Sequence, residues 1–60
     1  MARILVVDDD KGHLKVLMVI LEDEGYSVDA YDAPDTALSK FRPNYYDLAV
    51  LDYLMPHKDR

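Results

Sequence analysis

The chain has 60 residues and a mass of 6.9 kDa, which limits it to one small domain. Half of its residues are hydrophobic and 32% are charged, a mixture typical of a packed domain rather than a disordered segment. Twelve acidic and seven basic residues give a net charge of -5, which argues against direct binding of nucleic acid or of anionic membranes. There is no cysteine, so disulfides and thiolate metal sites are excluded. Because the apolar runs are too short for a membrane span or a signal peptide, we expect a soluble cytoplasmic protein.

The first part of the chain combines a strand pattern with a helix pattern. An uninterrupted apolar run predicts a buried strand at about residues 3–7. Hydrophobic residues then recur at helical spacing, which predicts a helix at about residues 11–24. Asp10 is placed to cap the start of this helix, and Gly25 is placed to end it.

The second part of the chain repeats this alternation. Residues 26–31 alternate loosely between apolar and polar types, which predicts a half-exposed edge strand. Pro34 suits the first turn of a helix, predicted at about residues 34–42. A further apolar run predicts a third strand at about residues 47–52. The predicted element order is therefore βαβαβ, which places the chain in the α/β class.

This alternation predicts a parallel sheet, because helical crossovers join parallel strands with a right-handed connection. The two continuously apolar strands, the first and the third, should be neighbours, so the predicted strand order is 2-1-3. The two helices should then cover opposite faces of the sheet. The carboxyl ends of strands 1 and 3 would meet at one edge, where ligands bind in open parallel sheets. Asp8, Asp9 and Asp52 stand at those ends.

Three converging carboxylates repel one another unless a cation neutralises them. Mg²⁺ suits this setting because it prefers oxygen ligands and leaves positions open for a phosphoryl group. The alternative is that the run from Asp8 to Asp10 consists of solvated loop acids, one of which caps the helix. Asp52 favours a site over that alternative because it ends a separate strand at the same edge.

Several segments together resemble the first half of a response-regulator receiver domain. They are the run ILVVDDD, the helix end Glu24-Gly25-Tyr26, the segment DAPDTAL and the segment DLAVLDYLMP. The resemblance extends over essentially all 60 residues and implies a truncated receiver domain over residues 1–60. The implied fold is the N-terminal βαβαβ half of a flavodoxin-like, doubly wound parallel sheet.

The resemblance also implies a function. In that family the aspartate at the position of Asp52 accepts a phosphoryl group from a sensor histidine kinase, in two-component signalling. Asp9 would bind Mg²⁺ directly, Asp8 would help through a water, and the backbone carbonyl of Leu54 would complete the site. A receiver is a signalling module, so we expect no enzymatic activity of its own.

Other site types fit less well. A dinucleotide-binding enzyme would need a glycine-rich turn after strand 1, but the chain has two glycines and no GxGxxG. Asp8-Asp9-Asp10 nominally matches the Asp-x-Asp of haloacid dehalogenase-like phosphohydrolases, although the sequence around Asp52 fits receivers better. His13 and His57 lack ligand-spaced partners, so we assign them no role.

Self-association is also expected. Strand 3 would be an apolar edge with unpaired backbone groups, which favours pairing with another strand. The first helix has a wide apolar arc that includes Val16, Val19 and Ile20. We therefore predict a homodimer through strand 3, helix 1 or both. The alternative function is a truncated half-domain that associates as a structural unit and lacks signalling competence.

Overall fold

The computed structural model describes residues 1–52, so the predicted contribution of Leu54 lies outside the described residues. The elements are β1 (Arg3–Asp8), α1 (Lys11–Asp23), β2 (Ser27–Tyr31), α2 (Pro34–Lys40) and β3 (Leu48–Asp52). Five of these ten bounds coincide with those expected from the sequence and four differ by one residue, whereas α2 ends two residues earlier. Pro43 accounts for the early end, because a proline disfavours helical backbone in the preceding residue and clashes with the preceding turn. Phe41 is already extended, with φ of -64° and ψ of 138°.

The three strands form one parallel sheet in the order β2-β1-β3, which confirms the predicted fold class and strand order. β1 is the central strand. Val6 pairs with Ala30 of β2 on one side and with Val50 of β3 on the other. The same register places Asp8 opposite Asp52.

Alternate residues of β1 supply the cores on the two faces of the sheet, because successive side chains of a strand point to opposite faces. One core contains three buried residues of β1 and α1, and the other contains three of β1 and α2. The first consists of Ile4, Val6 and Leu14, and the second of Leu5, Val7 and Ala37. The two helices therefore lie on opposite faces, as predicted.

Both ends of α1 are closed by specific hydrogen bonds. The Asp10 side chain accepts hydrogen bonds from the backbone N–H groups of Gly12 and His13, which confirms it as the N-cap. At the other end Gly25 has a φ of 94°, a left-handed conformation that glycine adopts at little cost. Its N–H donates to the Glu22 carbonyl, and the N–H of Tyr26 donates to the Leu21 carbonyl. These two bonds form a Schellman motif, so Gly25 ends the helix as predicted.

The segment before β3 is tied to the other strands. The backbone N–H of Arg3 donates to Asp47 Oδ2 at 2.8 Å, and the N–H of Asp47 donates to the Arg3 carbonyl at 2.8 Å. The Tyr46 hydroxyl donates to Asp29 Oδ2 at 2.6 Å, and this hydrogen bond together with burial raises the pKa of Tyr46 to about 12. The two hydrogen bonds between Arg3 and Asp47 hold the start of β3 beside β1, and the Tyr46–Asp29 bond links the preceding segment to β2.

Several large apolar side chains remain exposed. Val16, Val19 and Ile20 on α1 are each more than half exposed, which confirms that part of the apolar arc of this helix is uncovered. In the part of the chain that the structure describes, neither helix combines the length and the apolar character that a membrane span requires.

Candidate functional site

The candidate site lies at the carboxyl edge of the sheet, where β1 and β3 end side by side. Asp8 is the last residue of β1, and Asp52 is the last residue of β3. Since the two residues are paired in the parallel register, their side chains emerge on the same face, the one that α1 covers. The structure therefore brings two of the predicted site residues together.

The two carboxylates differ in their surroundings. Asp8 is only 2% exposed, whereas the side chain of Asp52 is 57% exposed. Oδ1 of Asp8 accepts a hydrogen bond from the backbone N–H of Asp10 at 2.9 Å, and its Oδ2 contacts His13 Nδ1. These partners compensate the cost of burying a charged group. Asp8 is therefore held in place, while Asp52 is accessible to a second molecule.

His13 belongs to the same cluster. Its Nδ1 contacts Oδ2 of Asp8 and lies 3.2 Å from Oδ2 of Asp52. His13 lies in the first turn of α1, and the Asp10 cap accepts its backbone N–H at 3.1 Å. Because helical side chains are tilted toward the N-terminus of their helix, this position directs the ring to the end of β1. Sequence reasoning assigned His13 no role, since its partner Asp52 is distant in sequence.

Asp9 stands apart from the cluster that the structure describes. It follows the last residue of β1 and is exposed. Asp10 is engaged in capping α1 and is likewise outside the cluster. The nearby cation Lys11 pairs with Asp32 at 3.5 Å, an exposed contact at the end of β2. Of the three predicted acidic ligands, the structure thus juxtaposes Asp8 and Asp52.

The juxtaposed side chains fit a divalent cation. One donor atom each from Asp8, His13 and Asp52 lies within 4.8 Å of the others. Ligands about 2.1 Å from one ion are separated by about 3 Å when adjacent and by about 4.2 Å when opposite, so this spread suits a single ion. The two carboxylates supply the oxygen donors that Mg²⁺ prefers. The donor set is therefore compatible with the magnesium predicted from the sequence.

The chain is similar in sequence to a known family of proteins. The family model described as response regulator receiver domain matches residues 4–59. Similar curated proteins include the transcriptional regulatory protein DltR of Streptococcus agalactiae, 38% identical over 56 residues, and ResD of Bacillus subtilis, 40% identical over 57 residues. The matches cover 93% and 95% of this chain. The chain spans about a quarter of the length of these relatives, at 25% and 24%.

A solved structure is also similar. The non-phosphorylated HemR receiver domain from Leptospira biflexa superposes with a TM-score of 0.82 and 39% sequence identity. The match covers 85% of this chain and 41% of that chain.

Proposed function

Because the chain belongs to the family of response regulator receiver domains, a family of two-component signalling, we propose that it carries the phosphoacceptor of such a system and that this residue is Asp52. The single observation that carries the proposal is the pairing of an exposed Asp52 carboxylate with a buried Asp8 carboxylate at the carboxyl edge of the sheet. The 60 residues would be the half of a receiver domain that contains the phosphorylation site.

In the proposed reaction a carboxylate oxygen of Asp52 attacks the phosphorus of a phosphoryl donor. A new O–P bond forms, the bond from phosphorus to the donor breaks, and the leaving group departs with the bonding electron pair. The product is an acyl phosphate. A carboxylate is a weak nucleophile, so the transfer depends on positioning and on neutralising the charge of the phosphoryl oxygens. The exposure of Asp52 supports this role, because a donor must approach it from solvent.

We further propose that the site holds Mg²⁺ through Asp8, Asp9 and Asp52, with the backbone carbonyl of Leu54 as a further ligand. When bound, the ion supplies positive charge beside the phosphoryl oxygens. Asp8 supports this proposal through its position against Asp52, and Asp9 through its place next to Asp8 in the chain. The proposed role of Asp8 is to orient the cation, since its own oxygens are held by neighbouring groups.

The proposed partner is a sensor histidine kinase, which would present the phosphoryl group at the carboxyl edge of the sheet. The net charge of -5 of the 60 residues supports contact with a protein rather than with nucleic acid. A second copy of the chain is a further proposed partner. The exposure of Leu48 and Leu51 on β3, at 56% and 70%, supports association through this strand.

The experiment is incubation of the 60-residue chain with acetyl phosphate and Mg²⁺, followed by intact-mass measurement. We expect a single phosphoryl adduct in the wild-type chain and none in Asp52→Asn, because the amide oxygen is a much poorer nucleophile than the carboxylate. Omitting Mg²⁺ should greatly reduce the adduct.

Asp32→Asn is the matched control. Asp32 is an exposed aspartate that follows the end of β2, at the same edge of the sheet, but lies outside the Asp8–Asp52 pair. This variant should be labelled like the wild type. A wild-type chain that is folded by circular dichroism yet takes no adduct would contradict the proposal and favour the alternative of a purely self-associating unit.

A further inference from the structure

We propose that His13 is a direct metal ligand through Nδ1, so that the site binds the borderline transition-metal ions Co²⁺ and Ni²⁺ more tightly than Mg²⁺. This inference rests on the metal site of the proposed function and specifies its selectivity. It adds one imidazole nitrogen to the oxygen donors of that site.

The position of the His13 ring is compatible with an ion shared with both carboxylates. His13 Nδ1 is 3.2 Å from Oδ2 of Asp52, close to the separation of about 3 Å between adjacent ligands of one ion. The same nitrogen contacts Oδ2 of Asp8, so it faces both carboxylates at once. Small rearrangements would open the short contact to admit an ion, because the side chain of His13 is 46% exposed and can turn toward solvent.

The local structure fixes the backbone that carries the ring. The backbone of His13 is held by the Asp10 cap, and the next residue, Leu14, is buried in the core between α1 and β1. The backbone of the first turn of α1 is therefore anchored on both sides of His13. A side chain attached to an anchored backbone loses less conformational entropy when it binds an ion.

Ligand chemistry determines the selectivity. Imidazole nitrogen suits Co²⁺, Ni²⁺ and Zn²⁺, and affinities for such mixed nitrogen and oxygen sites rise along the first transition row up to copper. Mg²⁺ instead retains water and binds carboxylate oxygen. An imidazole between the two carboxylates should therefore add much to the affinity for Co²⁺ and little to that for Mg²⁺.

The test compares Co²⁺ and Mg²⁺ binding by isothermal titration calorimetry in the wild-type chain, His13→Gln and His57→Gln. We expect the wild type to bind Co²⁺ more tightly than Mg²⁺. His13→Gln should lose roughly tenfold or more in Co²⁺ affinity, with little change for Mg²⁺. His57→Gln replaces the other histidine of the chain and should retain both affinities. Glutamine is a good helix former, and His13→Asn provides a second variant if His13→Gln fails to fold.

A spectroscopic measurement tests direct ligation. The chain is loaded with Mn²⁺, and electron spin echo modulation is recorded for coupling to nitrogen. We expect a ¹⁴N coupling typical of bound imidazole in the wild type and in His57→Gln, and its loss in His13→Gln. A coupling that persists in His13→Gln, or one that disappears in His57→Gln, would overturn the assignment.

The outcomes separate this inference from the proposed function. Tighter Co²⁺ binding by His13→Gln would show that the ring competes with the ion for the carboxylates, which overturns the inference alone. Equal Co²⁺ affinities in the wild type and His13→Gln, with Mg²⁺ still bound, would do the same. Absence of binding by every ion tested would overturn both the metal site and the role of His13, whereas phosphorylation of Asp52 is measured separately by mass.

Discussion

The strands β1 and β3 have similar sequences but very different environments. Each is an apolar run that ends in an aspartate. The four apolar residues of β1, Ile4–Val7, are at most 5% exposed, whereas Leu48 and Leu51 of β3 are 56% and 70% exposed. The difference arises because β1 has a strand on each side and helices over both faces, while β3 is paired along one edge in the described structure.

The candidate site takes one carboxylate from each of these two strands. Asp8 is buried like the apolar residues of β1, whereas Asp52 is exposed like most of β3. A buried acid with satisfied oxygens is suited to hold a cation in a defined place. An exposed acid beside it is suited to react with a partner. In the proposed function, the unequal burial of the two strands would give these two carboxylates different roles at one edge of the sheet.

The largest expected effect is on the central strand. Val6→Ala should lower the free energy of unfolding by about 2–3 kcal/mol, because Val6 is fully buried and the smaller side chain leaves a cavity. Leu51→Ala, on the exposed strand, should change it by less than about 0.5 kcal/mol. Urea unfolding followed by circular dichroism measures both. Equal losses in the two variants would contradict the difference between the strands.

Metal binding should require Asp52 of the exposed strand β3, although the buried strand β1 supplies most of the core. At a free Mg²⁺ concentration tenfold above its dissociation constant, the folded state should gain about 1.4 kcal/mol. A thermal melt with and without Mg²⁺ should therefore show a rise of several degrees. Asp52→Asn should abolish the rise, whereas Asp32→Asn should retain it. An unchanged midpoint in the wild type at millimolar Mg²⁺ would count against the metal site.

The hydrogen bond between Tyr46 and Asp29 connects the segment before β3 to β2. Its loss should lower the free energy of unfolding by less than the Val6→Ala substitution does. Tyr46→Phe should destabilise the chain by about 1 kcal/mol at neutral pH, since it removes one partly exposed hydrogen bond to a carboxylate. Urea unfolding measures the change. Tyr45→Phe, which removes the hydroxyl group of the neighbouring tyrosine, provides the reference for the loss of such a group.

The same bond predicts a pH dependence. The pKa of Tyr46 is raised from 10.0 to about 12 in the folded chain, so folding favours the protonated phenol. Its stabilising contribution is complete below pH 10 and disappears as the pH rises toward 12. The difference in stability between the wild type and Tyr46→Phe should therefore shrink over this interval. A difference that stays constant up to pH 12 would be inconsistent with the raised pKa.

The proposed association through β3 can be tested with a variant that is expected to change folding stability very little. Leu51→Lys should alter the stability of the monomer by less than about 0.5 kcal/mol, because the side chain is largely exposed. It should nevertheless weaken association through β3, since it places a charge on the edge strand. Sedimentation equilibrium measures the mass, and Ser27→Lys on β2 is the control. A wild-type mass of 6.9 kDa at all concentrations would exclude the dimer.

The elements, their order and the edge of the sheet that carries the acids can all be predicted from the amino-acid sequence. Local signals suffice for these features: Asp10 and Gly25 mark the ends of α1, and the apolar runs mark β1 and β3. Right-handed crossovers then leave few arrangements for three parallel strands. The pairing of Asp8 with Asp52 follows from that topology, because both residues end neighbouring strands.

Which side chains converge at that edge depends on how the folded elements pack and cannot be predicted from local sequence patterns. Asp9 and His13 illustrate this: the strand ends at Asp8, which leaves Asp9 outside the cluster, and the first turn of α1 directs His13 into it. Sequence patterns report the neighbours of a residue along the chain. The contact of His13 with Asp52 depends instead on how far β1 extends, on the angle at which α1 leaves it and on the register of β3. These quantities are set by packing between elements distant in sequence.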